Sequence, residues 1–207
     1  MDNLQGKNRF FCLNIRDCLG SGPDQVIGEG DLKEILSDFS SPKNIDVESF
    51  LREKAVEFTK KQQSVTFLVF ASSTMDLAGY FSITVKPVMI FANGLSNTAK
   101  RKLDRISKYN EKDNTYTVAA YLIAQFGKNY SESVTCPITG DELMDFAIGK
   151  LCDIQYELGG LFVYLECEDV EALLSFYQKK HGFRIFGERM TEGVENSHKL
   201  IQLMNFL

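Results

Sequence analysis

The chain has only two histidines, His181 and His198, and its five cysteines (Cys12, Cys18, Cys136, Cys152 and Cys167) include no C-x-x-C pair. Those scarcities leave no ligand set with zinc spacing, so no metal is expected. An odd, scattered set of cysteines suits reduced, mostly buried thiols better than a disulfide framework. No apolar run approaches the roughly 20 residues of a membrane helix, and Met1-Asp2-Asn3 opens without the basic and then apolar pattern of a secretory signal. A cytoplasmic protein with no membrane contact is the expectation. Positive charge is also in deficit, with 23 Lys and Arg against 28 Asp and Glu and a net charge of −5. This argues against a surface that grips nucleic acid throughout, while leaving room for a local basic patch. No internal repeat or low-complexity segment is visible. At 44% hydrophobic and 25% charged residues, the composition is that of a soluble globular chain, with a single domain expected over 1–207.

The first 45 residues read as an N-terminal extension of uncertain structure. Arg9 to Ile15 can form a first strand, and Gly20-Ser21-Gly22-Pro23 is a turn. Gly28-Glu29-Gly30 looks like the start of a phosphate loop, but no strand immediately precedes it and no Gly-Lys-Ser/Thr follows, so it reads as a plain loop. Asp31 and Glu34 have capping-box spacing, which predicts a short helix over Leu32–Phe39. From Asp46, the positions of Val47, Phe50, Leu51, Val56 and Phe58 predict an amphipathic helix. Ser64–Phe70 and Leu77–Val88 then read as two antiparallel strands around a turn at Ser73–Asp76. Residues 96–110 read as a basic helical insertion, Asn97 to Lys108, carrying Lys100, Arg101, Lys102, Arg105 and Lys108. Such a run is a solvated face or a guide for RNA or an acidic substrate.

Tyr116 to Phe126 is compact and β-rich, as a central strand would be. A polar loop, Gly127 to Pro137, leads into a second amphipathic helix that ends at Gly159-Gly160. The strand Leu161–Glu168 follows, then a short helix capped by Asp169 with Ala172, Leu173, Phe176 and Tyr177 facing inward. Phe183–Met190 and Lys199–Leu207, with a turn at Glu192–Ser197, look like a closing hairpin.

The run Glu168-Asp169, Phe176-Tyr177 and Gly182-Phe183 resembles the fifth strand and fourth helix of the GCN5-related N-acetyltransferase (GNAT) superfamily, and the preceding order of elements agrees from Asp46 onward. The string Val47-x-x-Phe50-Leu51-x-x-x-Ala55, with Val65-Thr66-Phe67 and Gly79-Tyr80-Phe81, is similar to bacterial GNAT toxins of toxin–antitoxin pairs. The resemblance implies an α/β, GNAT-like (acyl-CoA N-acyltransferase) fold, a central mixed twisted sheet flanked by helices. It also implies acetyl-CoA as co-substrate. Leu122, Ile123, Ala124 and Gln125 would meet the pantetheine arm, and Ile138, Thr139, Gly140, Asp141, Glu142 and Leu143 the pyrophosphate, at a helix N-terminus. Tyr177 would be the general acid.

The sequence departs from the family at two places. The family's phosphate loop reads Gln/Arg-x-x-Gly-x-Gly/Ala. Here Thr135 and Ile138 stand at its first two defined positions and only Gly140 matches, with Gln125-Phe126-Gly127 a second partial candidate. The family often has Asn seven residues before its Tyr, where this chain has Val170. The chain also has five steps from Tyr177 to Gly182 where four are common, so counting back from the glycine selects Gln178. Glu166–Asp169 and Phe176-Tyr177 agree in one register, which favours Tyr177. The resemblance implies direct transfer of an acetyl group to a primary amine, with a backbone N–H near Ile123 or Ala124 holding the oxyanion; a small-molecule or macromolecular amine acceptor and a monomer or homodimer are expected. Glu166 and Glu168 are the acids near the strand end, and Cys136 and Cys167 the thiols that an acyl-enzyme route would need. A toxin acetylating aminoacyl-tRNA, with an antitoxin partner, and a catalytically inactive binding module are the alternatives.

Overall fold

The computed structural model describes residues 9–19, 27–191 and 197–207. The expected turns at Gly20–Pro23 and across 192–196 lie outside the described residues. Strands follow the order β1-β2-β3-β5-β6-β8-β7, with the short β4 paired to β5. The chain divides into two compact units, Met1–Thr84 with Ala124–Ile148, and Val85–Ile123 with Gly149–Leu207. Strands β3 (Leu77–Phe91) and β5 (Thr115–Lys128) and helix α6 (Gly140–Leu158) each contribute to both.

In the first unit, β1 (Phe10–Asn14), β2 (Val65–Ala71) and the first half of β3 pair antiparallel in sequence. Helices α1 (Ile15–Leu19) and α2 (Glu29–Ser37), together with a longer helix, supply the apolar layer against Leu68, Phe70 and Tyr80. Helix α2 begins earlier than predicted. Gly28, with extended backbone, is its N-cap, and Glu29-Gly30 form its first turn rather than a loop. Leu32 and Leu36 are buried, and Glu29 holds Lys33 and Lys60 at 3.0 and 2.9 Å. A carboxylate in that first turn also complements the helix dipole. Asp31 therefore sits inside the helix and does not cap it.

The longer helix likewise starts before Asp46. Asn44 caps it by accepting from the Val47 N–H, and it runs as α3 (Ile45–Ser49), a π-helical turn (Phe50–Lys54) and α4 (Ala55–Lys60). Val47, Phe50, Leu51, Ala55 and Val56 are buried. The phenol of buried Tyr80 ties this helix down by donating to the Val47 carbonyl at 2.6 Å, and Phe39 packs edge-on to the Tyr80 ring. Gly127 makes the approach possible, because a Cβ there would lie 2.4 Å from Val47 Cγ1.

In the second unit, β5 and β6 (Phe162–Glu168) pair parallel, while β8 (Lys199–Phe206) lies antiparallel between β6 and β7 (Arg184–Met190). The closing hairpin is therefore present and its second strand is interior. One core gathers Val88, Ile90, Leu103, Val118, Phe162 and Tyr164. The basic helix α5 is Asn97–Leu103, shorter than predicted. Past Leu103 the Asp104 carboxylate accepts from the Tyr116 phenol at 2.8 Å and the Ser107 hydroxyl donates to the Thr117 carbonyl at 2.9 Å. Those bonds turn the chain into β4 (Tyr109–Asn110) instead of extending the helix. Helix α6 stops at Gly159 and Gly160, both at positive φ (79° and 122°). A Cβ on Gly160 would also lie 2.6 Å from the Tyr121 ring.

Candidate functional site

Tyr177 belongs to a short helix, α7 (Glu171–Ser175), that continues as a π-helical turn over Phe176–Lys180. Val170, not Asp169, stands at the N-cap and, being apolar, offers no side-chain bond, while the Asp169 carboxylate is paired with Lys199 at 2.8 Å. The inward face also differs from expectation. Ala172 and Leu173 are exposed, Phe176 and Gln178 half-buried, and Tyr177 is the buried residue. Its ring meets Phe176 and Phe183 edge-on, with centroids 5.0 and 6.0 Å away. The helix ends at Gly182 (φ 70°), where the Phe183 N–H returns to the Tyr177 carbonyl at 3.0 Å. The Asn205 amide, from β8, donates to the His181 carbonyl at 3.0 Å.

The Tyr177 hydroxyl makes no hydrogen bond among the described residues, although the residue is only 8% exposed. Burial, with the neighbouring Cys167 sulfur adding to it, pushes its pKa well above that of an ordinary phenol. The hydroxyl therefore keeps its proton at neutral pH. Burial, helped by Asp169 and Glu168, raises the Cys167 thiol to about 11, so Cys167 is not a ready nucleophile. Glu166 is committed elsewhere. It accepts three bonds from the Arg189 guanidinium at 2.6 to 2.9 Å and one from the Gln202 amide at 2.8 Å. Both of its carboxylate oxygens are thus taken by the protein's own donors. Glu168 is exposed at the strand end.

The β5–β6 ladder is short, with Tyr121, Leu122 and Ile123 opposite Val163, Tyr164 and Leu165. Both strands continue past the end of that ladder. Leu122 is half-buried against the core and Ile123 is buried.

The remaining expected site residues belong to the first unit. Ala124 is exposed, and half-buried Gln125 lies with its Oε1 3.5 Å from the Tyr80 phenol oxygen and donates to Asp46 at 3.4 Å. Buried Asn129 fixes the start of the following loop by donating to the Leu77 carbonyl and accepting from the Ser40 and Ser131 N–H groups, each at 2.9 Å. Further along, Asp76 accepts from the Thr135 N–H and hydroxyl at 3.0 and 2.8 Å. At the start of α6, Ile138 and Leu143 are buried, while Thr139, Gly140, Asp141 and Glu142 surround the helix end.

Thr139 and Glu142 form a reciprocal capping box. The Glu142 N–H donates to the Thr139 hydroxyl oxygen at 3.1 Å, and the Thr139 N–H and hydroxyl donate to Glu142 Oε2 at 2.8 and 2.7 Å. Arg9 joins from the first strand's edge, donating to Glu142 Oε1 and to the Pro137 carbonyl, both at 3.0 Å. Burial alone would raise the Glu142 carboxyl, but the Thr139 bonds and the Arg9 charge outweigh it and hold the pKa below the ordinary value. A helix N-terminus with an adjacent guanidinium is a donor set that fits a diphosphate.

The structure thus places Tyr177, Leu122 and Ile123 in one unit, and Ala124, Gln125 and Ile138–Leu143 in the other. Sequence reasoning missed Arg9 and the Cys167 neighbour of Tyr177. Thr-x-x-Glu at Thr139–Glu142 did carry a readable capping signal; nothing local to Arg9 announced its partner 133 positions away. Among the described residues no group of side chains is arranged to hold a metal, and no helix is long and apolar enough to cross a membrane.

No family model matches the chain, and no curated protein matches it. Solved structures do share its fold. AtaT complexed with acetyl-methionyl-tRNAfMet superposes with a TM-score of 0.58 at 13% identity, over 93% of each chain. AtaTR bound with acetyl-CoA gives 0.55 at 12%, covering 96% of this chain and 93% of the other. A tyrosine-to-phenylalanine mutant of KacT gives 0.58 at 15%, covering 94% and 95%. The mixed sheet flanked by helices is accordingly the GNAT-like fold that the resemblance implied.

Proposed function

We propose that the chain is an acetyl-CoA-dependent N-acetyltransferase that passes the acetyl group directly to a primary amine. The observation that carries this reading is Tyr177: a buried phenol with its proton retained and no protein partner, on the helix where the resemblance expects the general acid. Acetyl-CoA would supply an activated thioester, whose acetyl carbon joins the acceptor nitrogen as the carbon–sulfur bond breaks. Tyr177 donates its proton to the departing sulfur, and the proton that the acceptor nitrogen loses passes to solvent and restores the phenol. The backbone at the end of the β5–β6 ladder and just beyond it, Leu122 to Gln125, would bond the pantetheine amides, with an N–H near Ile123 or Ala124 stabilising the oxyanion. Ile138 to Leu143 would receive the pyrophosphate at the N-terminus of α6. The arrangement around Cys167 and Glu166 disfavours an acyl-cysteine route and leaves proton removal to water or the acceptor's own environment.

A narrower reading, a toxin that acetylates aminoacyl-tRNA and is checked by an antitoxin, is favoured by a specific observation. Fold neighbours include AtaT complexed with acetyl-methionyl-tRNAfMet and the mutant toxin bound to the C-terminus of the antitoxin AtaR, and α5 adds a basic segment here. The test is calorimetry with acetyl-CoA, then thiol release over a panel of amines and charged tRNAs. Binding followed by release with one acceptor supports the enzyme. Tight binding with no release from any acceptor would favour an inactive binding module, and no binding would remove the cofactor assignment.

A further inference from the structure

The segment Asn129 to Leu143 contains no Lys or Arg, and its first turn of helix carries Asp141 and Glu142. A diphosphate approaching α6 would therefore meet like charge, with no cation from the loop itself. Arg9 reaches in from outside the loop and is the cation that the described residues pair with Glu142. The Glu142 carboxylate meanwhile receives a backbone N–H, a hydroxyl and a guanidinium. Those are the three donor types that a phosphate oxygen set at a helix N-terminus would receive. Both partners stay in touch with water, at 54% and 34% side-chain exposure, so the pair can be exchanged without opening a core.

From this we propose that Arg9 and Glu142 are an exchange pair that sets the affinity for the diphosphate of a CoA-type ligand. Glu142 occupies the phosphate's donors in the free protein, and Arg9 is the cation that the phosphate takes over when Glu142 is displaced. Thr135, which stands where the family carries Gln or Arg, is in this view replaced by an arginine from the other end of the chain. The proposal rests on the acetyl-CoA reading above.

The two ideas separate by titrating wild type, Arg9→Ala, Glu142→Gln and the double variant with acetyl-CoA and with acetyl-pantetheine, which lacks the diphosphate. Glu142→Gln keeps a residue that can serve the capping box and removes the competing charge, so acetyl-CoA should bind about tenfold more tightly; Arg9→Ala should bind it about tenfold more weakly. The double variant should lose the gain, and acetyl-pantetheine should bind all four alike. Arg9→Lys, which keeps the charge but loses the two-point fork, serves if Arg9→Ala melts early, and should also weaken acetyl-CoA alone. Unchanged acetyl-CoA affinity in folded Arg9 and Glu142 variants, with Gly140→Glu abolishing binding, would overturn the exchange pair and leave the cofactor reading standing. Equal shifts for acetyl-CoA and acetyl-pantetheine would overturn it too, by showing that the diphosphate is not what the pair senses. If neither wild type nor any variant binds acetyl-CoA at millimolar concentration, the cofactor reading falls and takes the pair with it.

Discussion

Tyr177 can be tested without disturbing its surroundings, because Phe keeps the ring and removes only an unpartnered hydroxyl. That hydroxyl has no protein hydrogen bond to lose, so Tyr177→Phe should melt close to the wild-type temperature. Turnover should nevertheless fall about 10²-fold or more if the proton comes from that hydroxyl, with acetyl-CoA affinity unchanged. Thiol release and melting on one preparation decide it; full turnover in Tyr177→Phe would take general acid catalysis away from this helix. The neighbouring Cys167 gives a second residue-scale expectation. A thiol held near 11 and 7% exposed is almost wholly protonated at pH 8, whereas Cys152 is exposed. Iodoacetamide should label Cys152 quickly and reach Cys167 only after denaturation, which peptide mass mapping would show.

At the scale of elements, helix existence was legible and helix starts were not. Periodic apolar positions announced every long helix. Ends depend on which of several nearby Asx or Thr side chains finds an N–H, so Asn44 won over Asp46, while Lys199 took Asp169 away from the role assigned to it. The α6 start is the exception with a reciprocal signature, and Thr139→Ala should cost about 1 kcal/mol of stability by chemical denaturation. The same region gives a pH dependence. Asp76, through the Thr135 bonds first, and Glu142, through a net balance of bonds over burial, both sit below their ordinary values of 3.8 and 4.5. Depressed carboxyl values stabilise the fold above the ordinary value, and that contribution is lost as pH falls through the folded value. Melting temperature should therefore decline below pH 4.5, and less steeply in Asp76→Asn; an identical slope in that variant would show that the Thr135 bonds have no thermodynamic weight.

For the whole molecule, the order of elements and the GNAT-like fold could be read because the resemblance supplied a template for them. The same pattern gave no sign that β8 would be interior, which its distant pairing with β6 decides, or that the chain would curl into β4 after Leu103, which the Asp104 and Ser107 side-chain bonds decide. The basic segment shows how much packing edits a charge count. By sequence Lys102 belongs with the solvated cations, yet its ammonium lies 4.3 Å from the centre of the Phe206 ring and is half-buried. Arg101, Arg105 and Lys108 are the exposed ones. If the acceptor is a tRNA, reversing those three to Glu should weaken its binding and flatten the salt dependence, by about 0.7 to 0.9 in log–log slope for each phosphate no longer neutralised. Reversal that leaves both affinity and salt slope unchanged would exclude this segment as the RNA-binding surface.

The π-helical turn at Phe176–Lys180 has a consequence for how the chain tolerates length change. It acts as a bookmark for one surplus residue, absorbing the fifth step from Tyr177 to Gly182 while Phe183 and the β7–β8 pairing keep their places. In an ordinary α-helix a one-residue deletion rotates everything beyond it by about 100°. Here, deleting exposed Lys179 should simply tighten the turn to α, leaving the downstream hairpin in register and the protein folded.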